Sequence, residues 1–82
     1  MDITIRAYSH AVTAFDDRTE ITWSTDASTV AELLTELAEE FDFNAEDANV
    51  MRNGKNIKLL DGLETPVEDG DTFVMALGVI AQ

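Results

Sequence analysis

The sequence predicts an α+β protein, a mixed four- to five-stranded sheet with one main helix packed on one face. Three observations carry this reading. Polar and apolar residues alternate through Asp2–Tyr8 and again through Glu20–Ser24. One amphipathic helix with its own cap begins at Thr29. Strand and tight-turn signals return at Val50 and continue to Leu77. The element order is therefore β-β-α-β-β-β, with the fourth element short.

The first run places Ile3, Ile5 and Ala7 on one face and Thr4, Arg6 and Tyr8 on the other, the pattern of a strand with one buried side. A polar stretch through Asp16-Asp17-Arg18 leads to the second run, where Ile21 and Trp23 share a face. The two runs fit an antiparallel hairpin with a long connection, with Phe15 tucked beneath it. Thr29 as N-cap and Glu32 three residues later form a capping-box pattern, which satisfies backbone N–H groups that the first helical turn leaves unpaired. Val30, Leu33, Leu34, Leu37, Ala38 and Phe41 follow at helical spacing and make one apolar face. Glu32, Glu36, Glu39 and Glu40 lie off that stripe, in water. Asn53-Gly54 after Val50-Met51-Arg52 is a hairpin dipeptide, because both central residues accept positive φ. Leu59, Leu60 and Leu63 surround a turn at Asp61-Gly62, and Glu68-Asp69-Gly70-Asp71 makes another tight turn before a last alternating strand, Thr72–Leu77.

Eighty-two residues fit one domain spanning 1–82, with a short C-terminal tail at about 78–82. A chain of this size buries about 60–65% of its unfolded surface, enough for one core. Cysteine is absent, which removes disulfides, thiolate catalysis and thiolate metal sites. Apolar runs are too short for a membrane-spanning helix, and the start Met-Asp-Ile-Thr-Ile resembles no leader, so a cytoplasmic protein is expected. Seventeen Asp and Glu stand against five Lys and Arg, for a net charge of −12. That surface repels phosphate backbones and anionic lipids, so neither nucleic acid nor membrane is an expected partner. The acidity either steers the protein to a basic partner or solvates it in multimolar salt. The acids are dispersed along the chain instead of clustered, which favours the halophilic reading.

Little in the sequence suggests catalysis, a cofactor or a metal. His10, the single histidine, sits in an expected loop with no nucleophile at motif spacing. Asp42-Phe43-Asn44-Ala45-Glu46 copies the start of a calcium loop, but Asp47 occupies the position of the required Gly and Asn53 that of the bidentate Glu. The four glycines fall eight residues apart without any other shared pattern, which is no repeat.

Three segments in order sharpen the picture: Thr29-Val30-Ala31-Glu32-Leu33-Leu34, Asn49-Val50-Met51-Arg52-Asn53-Gly54 and Thr65-Pro66-Val67-Glu68-Asp69-Gly70-Asp71. With the element order, they resemble the ubiquitin-like β-grasp proteins of the MoaD and ThiS sulfur-carrier and small archaeal modifier group, from Ile3 to about Val79.

The resemblance implies a protein that an E1-like adenylating enzyme activates with ATP at a C-terminal Gly-Gly, yielding a thiocarboxylate or an isopeptide. Glycine is required there because a bare backbone must thread a narrow channel. This sequence instead reads Gly78-Val79-Ile80-Ala81-Gln82, with Ala81 and Gln82 where the diglycine would stand. The function expected is docking to proteins, either to an E1-like enzyme or to a larger enzyme subunit, by a non-conjugating relative. An active carrier or modifier is the alternative. Ubiquitin-like proteins usually meet partners on the sheet face away from the helix, so Tyr8, Val74 and Ala76, with Val79 and Ile80 of the tail, are the expected docking residues.

Overall fold

The structure, a computed structural model, describes residues 1–41 and 48–77. The tail positions Gly78, Val79, Ile80, Ala81 and Gln82, and the calcium-loop-like stretch 42–47, lie outside the described residues.

Alternation becomes strand where it is expected. β1 (Asp2–Ser9) pairs antiparallel with β2 (Glu20–Ser24), Ile3 opposite Trp23 and Ile5 opposite Ile21. The connection between them corrects one expectation. Instead of a loop it contains a short helix, α1 (His10–Ala14), so His10 opens a helix. Ala11 and Phe15, one turn apart, are both fully buried, but a five-residue helix is too short to announce itself by periodicity. It is followed by Asp16 and Asp17 at φ 61° and 64°, a left-handed conformation that Asp tolerates better than most non-glycine residues.

The main helix, α2 (Val30–Glu40), begins at the N-cap Thr29, whose hydroxyl accepts the Glu32 N–H at 3.3 Å. The Glu32 carboxylate returns to the Ser28 N–H at 2.8 Å and the Ser28 hydroxyl at 3.0 Å. These bonds hold its pKa below the ordinary carboxylate value. Val30, Leu33, Leu34 and Leu37 are buried. Phe41 is half-buried at the helix end, its ring edge-on to Phe15 at 4.8 Å and tilted against Trp23 at 5.8 Å. Glu32, Glu39 and Glu40 are exposed as expected, but Glu36 is half-buried. Its Oε1 accepts from Thr25 Oγ1 at 2.6 Å and Trp23 Nε1 at 3.2 Å, clipping α2 to the end of β2.

β3 (Asn49–Arg52) and β4 (Lys55–Asn56) form the second hairpin around Asn53 (φ 50°) and Gly54 (φ 89°). Two 3-10 turns, Ile57–Leu59 and Gly62–Glu64, carry the chain round to β5 (Thr72–Leu77). The sheet order is β2-β1-β5-β3-β4, with β5 parallel to β1 and antiparallel to β3. Both helices lie on the face carrying Ile3, Ile5, Ala7, Val50, Phe73 and Met75, which join Phe15, Leu33 and Leu37 in one apolar cluster.

Candidate protein-docking face

The other face of the sheet carries Tyr8, Val74 and Ala76 of the expected docking residues. Strand register brings them into rows. Arg6 of β1 lies beside Val74 of β5, and Val74 opposite Met51 of β3; in the next row Tyr8, Ala76 and Asn49 are aligned. Tyr8 is 51% exposed, while Val74, Ala76 and Met51 are half-buried by their neighbours. Three strands thus contribute to one surface with an apolar centre (Val74, Ala76, Met51), the Tyr8 hydroxyl and the Arg6 guanidinium at its margin. Met51 was missed by alternation alone. Its place depends on the pairing of β3 with β5, which no local pattern encodes; the alternation of Val50 with Met51 was the available hint.

A partly buried ion pair stands at the turn end of β3, where Arg52 lies opposite Phe73 and so on the core side of the sheet. Arg52 Nε donates to Asp71 Oδ2 at 2.8 Å, and its Nη2 donates to Asp71 Oδ1 at 3.3 Å and Glu68 Oε1 at 3.2 Å. Asp71 also accepts from Asn53 Nδ2 at 3.0 Å and from the Glu68 N–H at 2.8 Å. Asn53 Oδ1 in turn accepts the Thr72 N–H at 2.9 Å, so the hairpin tip is tied to the start of β5. Burial alone pushes the Asp71 carboxyl up. The hydrogen bonds from Arg52, the Glu68 N–H and Asn53, with the Arg52 charge, outweigh it and hold the pKa below the usual value. The same hydrogen bond to Asp71 raises the Arg52 pKa, against a smaller opposing effect of burial.

Among the described residues no three His, Asp or Glu side chains come together to hold a metal ion. A cavity of about 390 Å³ opens beside Trp23, Thr25, Asp26, Glu36 and Glu39, on the helix side of β2, away from Tyr8, Val74 and Ala76. No helix among the described residues is long and apolar enough to cross a membrane.

The ThiS family model matches residues 8–75, from the end of β1 almost to the end of β5. The HVO 2177 protein of Haloferax volcanii is 26% identical, with a TM-score of 0.79 over 100% of this chain and 87% of that one. The small archaeal modifier protein 1 of Methanosarcina acetivorans superposes with a TM-score of 0.77 at 19% identity, covering 99% of this chain and 96% of that one. The BexX/CysO complex of Amycolatopsis orientalis contains a chain that matches at a TM-score of 0.73 and 20% identity, covering 98% and 99%. No curated protein sequence matches the chain. A five-stranded mixed sheet wrapped on one main helix, and a family match through most of its length, place the chain in the ThiS family of ubiquitin-like β-grasp sulfur carriers and modifiers.

Proposed function

We propose that the protein works by docking to other proteins and is a non-conjugating relative of the family's carriers and modifiers, not itself an enzyme. The observation that supports docking is the outer sheet face, where strand register gathers Tyr8, Val74, Ala76 and Met51. The sequence after β5 runs Gly78-Val79-Ile80-Ala81-Gln82, with no two glycines adjacent in the 82 residues. Adenylation brings a carboxylate to the α-phosphate of ATP through a channel that suits glycine. Ala81 adds a methyl, and Gln82 adds a polar side chain that must be desolvated without a partner. Misplacement by about 1 Å at a reacting centre can cost ~100-fold in rate.

In this reading Tyr8, Val74 and Ala76, continued by Val79 and Ile80, meet the partner, and Gly78, Ala81 and Gln82 stand at the family's reactive end. The partner is an E1-like adenylating enzyme or a larger enzyme subunit. The Amycolatopsis orientalis complex supplies a precedent for a relative bound to another protein. One domain over residues 1–82, acting in the cytoplasm of a salt-loving cell, accords with the composition. Family membership favours the second reading, an active carrier or modifier adenylated despite Ala81 and Gln82.

ATP–pyrophosphate exchange with an E1-like enzyme of the same organism separates the two, followed by intact-mass measurement for a thiocarboxylate. The native chain is expected to be silent, and an Ala81→Gly, Gln82→Gly double variant to gain exchange. Exchange by the native chain establishes the carrier reading instead. Silence from both excludes an activating enzyme as the partner.

A further inference from the structure

The connection between β4 and β5 holds leucine in water. Leu59 is 81% exposed, Leu63 54% and Leu60 37%, three large apolar side chains within five positions. Single exposed leucines are ordinary, but grouped ones mark contact surfaces. Their exposure is built into a pinned backbone. The Lys58 N–H donates to Asn56 Oδ1 and the Leu60 N–H to the Ile57 carbonyl, both at 2.9 Å. The buried Thr65 hydroxyl donates to the Gly62 carbonyl at 2.7 Å and accepts the Asp61 N–H at 3.2 Å. Ile57 and Thr65 are buried while the leucines between them point out, so the ridge is preformed and little ordering entropy is lost on contact.

The charge here is nearly balanced, unlike that of the rest of the molecule. From Ala48 to Glu64 stand Arg52, Lys55 and Lys58 against Asp61 and Glu64, in a chain with seventeen acids and five Lys or Arg. Arg52 is held by Asp71 and Glu68. Lys55 and Lys58, the chain's two lysines, make no ion pair among the described residues. The turn Gly62–Glu64 packs against α2, which places the ridge on the helix side of the sheet, away from Tyr8, Val74 and Ala76.

We infer that Leu59, Leu60 and Leu63, with Lys55 and Lys58, form a second docking surface for a protein partner that presents an apolar stripe flanked by carboxylates. The leucines supply the desolvated centre and the lysines the polar rim that fixes orientation. A partner needs only one or two carboxylates at that rim, whereas a second copy of this chain brings its whole charge of −12 against the first. Because the two surfaces lie on different sides, both can be occupied at once.

The test uses the full chain with methyl and amide NMR, titrated with a synthetic helical peptide bearing one leucine stripe flanked by glutamates. A lysine-flanked version of the same peptide serves as the control. Saturable shifts at Leu59, Leu60, Leu63, Lys55 and Lys58 with the glutamate peptide are expected. A Leu59→Ser, Leu63→Ser variant, folded because both sites are exposed, should bind roughly tenfold more weakly or worse. A Lys55→Glu, Lys58→Glu variant should lose roughly tenfold in dilute buffer and much less in about 1 M KCl, where the screening length is ~3 Å. Shifts confined to Tyr8, Val74 and Ala76, undiminished binding by the serine variant, preference of the ridge for the lysine peptide, or no shifts at millimolar peptide each overturn the proposal. Concentration-dependent shifts at the leucines without peptide also overturn it, by making a second copy the occupant.

Discussion

Leu37 is completely enclosed, and it belongs to the cluster that joins α2 to Ile3 and Ile5 of β1 and to Phe73 and Met75 of β5. Truncation there removes transfer energy and leaves a cavity that the surrounding strands close only in part. Leu37→Ala should cost about 2–5 kcal/mol, a large share of the stability of so small a protein. Denaturant titration measures it, and a loss below ~0.5 kcal/mol contradicts the assigned helix face. Asp71 carries a different kind of sensitivity. Its folded pKa lies below the ordinary value of 3.8, so the folded state binds its proton more weakly than the unfolded chain does. The stability it contributes is fully present above that ordinary value and is lost as pH falls through the folded pKa. Asp71→Asn should therefore lower stability at neutral pH and flatten the acid limb below about pH 4. An acid limb identical to that of the native protein would show that the Arg52–Asp71 pair is not coupled to folding.

At the level of elements, the N-cap of α2 offers a measurable contribution. Thr29→Ala removes the bond to the Glu32 N–H, which at 3.3 Å is long, so a loss near the lower end of the usual 0.5–2 kcal/mol range is expected in thermal denaturation. A loss above ~2 kcal/mol would mean that the cap also secures the Thr29–Pro66 bridge between α2 and the segment leading to β5. Thr29, the span Glu20–Ser24 and the Asn53-Gly54 turn were all legible in the sequence, because caps, alternation and positive-φ turns are encoded by neighbours. The parallel pairing of β1 with β5 is not written in any local window. Tyr8, Val74 and Ala76 could be assigned to the outer face by alternation, while Met51 beside Val74 could not, since its position is a matter of register. Glu36 departs from the expected solvated position for a related reason. Helical spacing removes it from the apolar stripe, but Thr25 and Trp23 arrive from another element to engage it.

Across the whole molecule the excess of acid dominates. At about 0.1 M salt the screening length is ~10 Å and carboxylates repel across the surface; at about 1 M it is ~3 Å. The midpoint of thermal unfolding should rise by about 5–15 °C between dilute buffer and molar KCl, corresponding to roughly 1–2 kcal/mol. Potassium chloride is a better probe than sulfate, which strengthens apolar burial on its own. A flat profile would favour the alternative in which the acidity serves a basic partner.

The strand order has a mechanical consequence. β1 and β5, the first and last strands among the described residues, are both interior to the sheet, and the two edges, β2 and β4, lie between them in sequence. A molecular motor that grips the polypeptide beyond Leu77 must drag out a strand zipped on both sides, to β1 and to β3, before anything else yields. Gripping the other end meets β1, equally flanked by β2 and β5. Forced extraction is governed by the unfolding barrier. The arrangement thus places the greatest resistance at both ends of the sheet-forming chain, and leaves the easily peeled strands where no terminal pull reaches them first.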